Sequence, residues 1–185
     1  MRVIGGLARG TKLYTLDGLN TRPTLDRVRE SLFNIIQSKI QNCMFLDLFS
    51  GSGAVGIEAI SRGARKSVLC DKSKEAIQII NKNIDKTHFK EKAEVYNCSF
   101  ETLLDKKLKE KPDIIYIDPP YETDFAYRSV KKIIENNLIK ENSLIIIETD
   151  DKERILKDIE KLEIEVVDQR KYGRAYLIFL SKRKG

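Results

Sequence analysis

Asp47-Leu48-Phe49-Ser50-Gly51-Ser52-Gly53-Ala54-Val55-Gly56 is the stretch that decides the fold. It closes a short apolar run, Met44–Phe49, and opens a helical pattern over 54–62. Glycines at 51, 53 and 56 satisfy G-x-G-x-x-G, and Asp71 lies 20 residues beyond Gly51, at the end of the next apolar run. Strand, glycine turn, helix and an acid-ended second strand together describe the nucleoside-binding half of a parallel sheet. The glycines let backbone approach a ligand closely, and the acid can accept from ribose hydroxyls.

The same alternation continues outward. Val68–Cys70, Ala93–Cys98, Ile114–Ile117 and Leu144–Ile147 are further strand candidates, with helical patterns at 74–86, 101–109, 125–138 and 151–161 between or after them. This spacing predicts a parallel sheet with helices on both faces. Glu163–Gln169 and Ala175–Leu180, linked through Tyr172-Gly173, predict an antiparallel hairpin at one edge. Upstream, residues 2–16 read as a hairpin or irregular arm. Apolar positions 25, 28, 32, 35 and 36 mark a helix, with Thr24 as its N-cap and Pro23 holding the entry extended. The boundary falls near 40, giving an N-terminal extension over 1–40 and a main domain over 41–185.

The glycine turn alone fits a dinucleotide or S-adenosylmethionine. Asp47 separates them: a carboxylate just ahead of the turn suits the ammonium of a methionine moiety and repels a pyrophosphate. The second motif, Asp118-Pro119-Pro120-Tyr121, follows the strand Ile114–Ile117. Two prolines remove two backbone donors. What remains is a carboxylate, the Pro119 carbonyl and an aromatic face, which suit an exocyclic amine on a planar base. Accepting from both N–H groups localises the amine lone pair toward a methyl donor, and Tyr121 can stack on the base. Catalysis of this kind is positioning and electrostatics, by Asp118, Pro119, Pro120 and Tyr121.

Charge indicates the partner. The 185 residues carry 34 lysines and arginines against 28 acids, a net charge of +6. Residues 1–30 hold six basic and three acidic residues, and 170–185 hold six basic and none acidic, so the excess sits at the ends of a mildly acidic middle. Arg2, Arg9, Lys12, Arg22, Arg27, Arg29, Lys171 and Arg174 are the candidates for contact with a polyanion. No run of about 18 apolar residues exists to span a membrane. Three scattered cysteines, Cys43, Cys70 and Cys98, form no disulfide framework or CxxC metal knuckle and suit a reducing cytoplasm. His88, the single histidine, reads as a surface loop residue, and no metal site is expected.

Asp47–Gly53 and Asp118–Tyr121 resemble motifs I and IV of class I S-adenosylmethionine-dependent amino-methyltransferases. The segments Arg2–Gly10 and Thr21–Asn34, with Ser61-Arg62-Gly63-Ala64, narrow the resemblance to the RsmD family of bacterial ribosomal RNA methyltransferases. The resemblance spans essentially the whole chain. It implies a Rossmann-like α/β fold with a mostly parallel seven-stranded sheet whose last strand is antiparallel. It also implies methylation of the exocyclic N2 of a guanine in 16S ribosomal RNA, within a 30S subunit or assembly intermediate, by a cytoplasmic monomer. Asp47, Phe49, Gly51, Ser52 and Gly53 would line the S-adenosylmethionine site and Asp71 with Lys72 would take the ribose end, while Asp118 and Tyr121 would face the guanine. Where many such enzymes have an acid after the third strand, this chain reads Asn97-Cys98-Ser99-Phe100, so Ser99 would accept from the adenine amine and Phe100 would pack on its ring.

Three competing readings stand beside this one. An adenine-N6 amino-methyltransferase would share both motifs, though 185 residues leave no room for a separate DNA-recognition domain. An NAD(P)-dependent oxidoreductase would share the glycine turn, but Asp47 and the lack of a proton relay oppose it. A ribosome-assembly binding module would not need the second motif intact.

Overall fold

The computed structural model describes residues 1–16 and 23–185. Arg22 lies outside the described residues, and the first helix starts at Pro23, so Pro23 and Thr24, read as its extended entry and its N-cap, are instead its first two residues. Seven strands form one sheet: β1 (Met44–Asp47), β2 (Lys66–Asp71), β3 (Ala93–Asn97), β4 (Ile114–Ile117), β5 (Leu144–Thr149), β6 (Ile164–Tyr172) and β7 (Ala175–Lys182). Their order is β3-β2-β1-β4-β5-β7-β6. The first five run parallel, and β7 lies antiparallel to both β5 and β6. Every residue of β1, β4 and β5 is buried. That is the condition of central parallel strands covered on both faces, and it explains their unbroken apolar runs.

Two helical layers cover the sheet. On one face lie α1 (Pro23–Ile35), the short α2 (Gln37–Ile40), α3 (Ala54–Ser61) and α4 (Lys74–Thr87). Val28, Leu32, Phe33 and Ile36 of the α1 region pack there with Phe45, Ala59, Ile114, Tyr116 and Ile146. Leu69 joins Ile57, Ile60, Ile80 and Ile84 further along the same face. On the other face, α5 (Phe100–Thr102), α6 (Phe125–Glu135) and α7 (Lys152–Ile159) cover Leu46, Leu48, Val68, Ile115, Ile145 and Ile147. Helix α4 is capped by Ser73, whose hydroxyl accepts from the Ala76 N–H at 3.2 Å, an arrangement worth about 1 kcal/mol. It stops at His88, exposed and left-handed at φ 60°.

Two later helices differ from the sequence reading. The helix expected over 101–109 begins as α5 and runs on as a π-helix over Leu103–Lys107, ending two residues early. Helix α6 ends at Glu135 instead of 138, where Asn137 takes φ 50°. The N-terminal arm is the short hairpin expected of it, bridged at Arg2 and Lys12, and it docks through the buried Val3 and Leu13 as well as through polar anchors. Glu58, wholly buried in α3, accepts from the N–H groups of Ile4 at 2.9 Å and Gly5 at 2.8 Å. Ser61 accepts from Ala8 N at 2.9 Å and donates to the Gly5 carbonyl at 2.6 Å. The arm is therefore a fixed part of the α3 face.

Candidate active site

The order β3-β2-β1-β4-β5 reverses between β1 and β4, and the crevice at such a reversal, beyond the carboxyl ends of the strands, is where open α/β sheets bind ligands. A cavity of about 740 Å³ opens there. Asp47, Phe49, Gly51 and Ser52 line it from the glycine turn, Asp71 and Lys72 from the end of β2, and Ser99 and Phe100 from the end of β3. Asp118, Pro119, Pro120 and Tyr121 line it from the end of β4. Gly53 sits one step behind the wall as the left-handed residue (φ 80°) that launches α3. The two motifs, about seventy residues apart in sequence, thus share one cavity because β1 and β4 are neighbours.

The turn is held from both ends by carboxylates. Asp71 accepts from Gly51 N at 2.9 Å and from Ser73 N at 2.9 Å. Asp47 accepts from Gly56 N at 3.1 Å through Oδ2, while its Oδ1 is buried without a partner among the described residues. Gly51, at φ 55°, faces open space. A side chain there would both strain the turn and enter the cavity. Gly56 is required for a different reason: an added Cβ would stand 2.8 Å from Leu69.

Asp47 is 1% exposed, and burial pushes its carboxyl up to about 7, with Asp71 adding to the rise and the Gly56 N–H opposing it. Burial, then Glu148 and Asp47, raises Asp118 well above the ordinary carboxylate range. Burial also raises Glu148, against the hydrogen bond it receives from the Tyr116 hydroxyl. The cavity's basic residues do not neutralise this group. Arg29 pairs with Asp26 at 3.2 Å and Glu58 at 3.8 Å, and Arg128 pairs with Glu101 at 2.5 Å. A buried, unpartnered carboxylate oxygen such as Asp47 Oδ1 calls for a cation or a strong donor from a ligand.

The adenine-edge candidates have other duties as well. Ser99 caps α5, its hydroxyl accepting from Thr102 N at 3.2 Å. Phe100 packs tilted against Phe49 (centroids 5.3 Å) and Phe125 (5.2 Å), and Arg128 lies 5.5 Å over the Phe100 and Phe125 rings. This aromatic wall suits a flat ring. Tyr121 stands 61% exposed at the rim, the position of a stacking face for a base entering from solvent.

The basic candidates separate. Arg2, Arg9, Lys12, Arg27, Lys171 and Arg174 are exposed. The Tyr172–Ala175 turn lies at the cavity's end of the sheet, since Tyr176 pairs with Thr149 at the carboxyl end of β5. Arg29, also a candidate for polyanion contact, is not a free surface cation. It is 6% exposed, donates to the Arg2 carbonyl at 2.5 Å and lines the cavity. Its place on the same α1 stripe as Val28 and Leu32 is the reason. The sequence reading missed Met1, Leu25, Tyr116, Phe125, Arg128 and Glu148 as cavity residues. Glu148 had a signal: an acid closing the run Leu144–Ile147, at the carboxyl end of a parallel strand.

The family model described as Conserved hypothetical protein 95 matches residues 1–181. The chain is 39% identical over 153 residues to ribosomal RNA small subunit methyltransferase D of Haemophilus influenzae, covering 81% of this chain and 79% of the relative. It is 35% identical over 150 residues to the protein of the same name from Escherichia coli, covering 81% and 75%. Among solved structures, HI0767 from Haemophilus influenzae matches with a TM-score of 0.79 at 31% identity, covering 99% of this chain and 98% of that one. The yhhF protein from Escherichia coli matches with a TM-score of 0.81 at 25% identity, covering 100% and 99%. The architecture is the class I methyltransferase fold.

Proposed function

Because the chain belongs to the RsmD family, we propose that it transfers a methyl group from S-adenosylmethionine to the exocyclic N2 of a guanine in 16S ribosomal RNA. The observation that carries this reading is the placement of Asp118-Pro119-Pro120-Tyr121 and the glycine turn on one cavity wall. The residues present fit the methyl donor. Asp47 Oδ1 offers a buried anionic acceptor for its ammonium, Asp71 has acceptor capacity left for ribose hydroxyls, and the Phe49–Phe100–Phe125 wall takes the adenine. When bound, S-adenosylmethionine supplies an already activated methyl on its sulfonium.

The chain's own task is then to present the base. Asp118 and the Pro119 carbonyl accept from the two N2–H groups, which directs the nitrogen lone pair away from the ring and toward the methyl. Pro119 and Pro120 keep donors out of this corner, and Tyr121 stacks on the base. As the new N2–carbon bond forms and the sulfur–carbon bond breaks, one N2 proton passes to Asp118, whose raised pKa suits it to receive one.

The acidic cavity needs basic surroundings to attract RNA. Arg2, Arg9, Lys12 and Arg27 supply them from the 1–40 extension, and Lys171 and Arg174 from the β6–β7 hairpin. Incubating the protein and a labelled methyl donor with naked 16S RNA, with 30S particles and with DNA tests the substrate. Label in small-subunit RNA, free or assembled, supports the reading, and label confined to DNA contradicts it.

A further inference from the structure

β4 and β5 run parallel and in register through Ile117 and Ile147, so the next position sets Asp118 beside Glu148 on strands about 4.8 Å apart. Tyr116, two residues before Asp118 on the same face of β4, donates its hydroxyl to Glu148 Oε2. Glu148 is 8% exposed, lines the cavity, and has no protein donor on its other oxygen among the described residues. These carboxylates do not converge on a metal, since no group of three or more ligating side chains does so among the described residues. Arg29 and Arg128, which share the cavity, are paired elsewhere. Two neighbouring acceptors therefore face the place where the base would sit, with no protein donor between them among the described residues.

Base chemistry selects what can meet that pair. The pairing edge of guanine presents N1–H next to the N2 amine, so its donors are contiguous. Adenine and cytosine instead place a ring-nitrogen acceptor beside the exocyclic amine, which would face a carboxylate lone pair to lone pair. We infer that Glu148 is the specificity-determining residue of this site, its Oε1 accepting from guanine N1–H while Asp118 and Pro119 hold the N2 amine. Tyr116 fixes the carboxylate rotamer by occupying Oε2. The inference rests on the guanine-N2 reading and deepens it, because it explains how one motif that serves several exocyclic amines becomes selective for guanine.

The test uses 2-aminopurine, which keeps the exocyclic amine but turns N1 into an acceptor. Small-subunit RNA carries either guanine or 2-aminopurine at the methylated position. Wild-type protein should prefer guanine by roughly 10- to 100-fold in kcat/KM. Glu148→Gln puts an amide N–H where the free oxygen was. It should lose most guanine activity and bring the preference close to one or invert it, with S-adenosylmethionine affinity within about twofold of wild type by calorimetry. Glu148→Asp, which keeps the charge and shortens the reach, should fall between the two. An unchanged preference in Glu148→Gln, whether both substrates fall together or neither falls, overturns the role of Glu148 while leaving the guanine reading intact. Wild-type protein that forms no N2-methylguanosine overturns both.

Discussion

Asp71 accepts a hydrogen bond from the backbone N–H of Gly51 at 2.9 Å, tying the end of β2 to the turn after β1. The residue read as a ribose acceptor is therefore also a brace for the loop that approaches the cofactor. Replacing it removes both. Asp71→Ala should weaken S-adenosylmethionine binding at least tenfold by calorimetry, whereas Asp71→Asn, which can still accept from Gly51, should lose less. Equal affinities for all three proteins would remove Asp71 from the site.

Asp118 is expected to work as an ionised acceptor although burial and the neighbouring acids raise its pKa. Methyl transfer should accordingly increase with pH through a transition above the ordinary carboxylate range. Asp118→Ala should reduce kcat by about 100-fold or more while S-adenosylmethionine still binds. A flat pH profile in single-turnover kinetics, or near-normal turnover of the variant, would exclude the proposed proton acceptor.

Asp47 links stability to the same chemistry. Its carboxyl titrates near 7 in the folded chain and near about 3.9 when unfolded. Between those values the folded state holds a proton that the unfolded state has released, so this contribution is fully present below about pH 4 and is lost as pH rises toward 7. Asp47→Asn should melt a few degrees above wild type at pH 8, with the gap closing toward pH 4, and should bind the cationic cofactor less tightly. Melting curves at the two pH values check this, and a pH-independent gap would contradict it.

Glu58 anchors the N-terminal arm and neutralises Arg29 and Arg62. Glu58→Ala leaves the N–H groups of Ile4 and Gly5 without their acceptor and the buried Arg29 with Asp26 as its remaining acid. It should destabilise the fold by about 3–5 kcal/mol, measured by denaturant unfolding, and should expose the arm to proteolysis. A change below about 1 kcal/mol would mean the arm docks by apolar contacts alone.

The exposed residues Arg2, Arg9 and Lys12 should act on RNA through charge. Neutralising them should weaken binding and reduce the slope of log affinity against log salt by about 0.7–0.9 for each phosphate that is no longer neutralised. An unaltered slope would return them to the role of a solvated surface. Arg29 behaves differently: buried and paired, its loss should appear in stability first.

Both motifs were legible in the sequence because each is contiguous and its chemistry is local. Glycines must lie at a turn, and Asp-Pro-Pro-Tyr is useful only where a strand ends. The sheet was legible from unbroken apolar runs, which fully covered parallel strands require. The pairing of Glu148 with Tyr116 was not: an acid closing an apolar run marks a strand end, but its meeting with Tyr116 depends on the register of β4 against β5. Arg29 misled for the same reason: a helical stripe marks which positions face inward, and a charged residue on its flank shows its partner, Glu58, only after α1 and α3 have packed. The 101–109 segment had helical periodicity and is helical through Lys107, but the pattern did not show that the chain widens to a π-helix from Leu103, where Leu103 and Leu104 are buried against the sheet.

The most direct measurement is nucleoside analysis of small-subunit RNA after reaction with S-adenosylmethionine and the wild-type protein, with Asp118→Ala as the control. The account predicts N2-methylguanosine at a single position, absent with the variant. N6-methyladenosine, a methyl group on any other nucleoside, or the same product from the Asp118→Ala protein would contradict it.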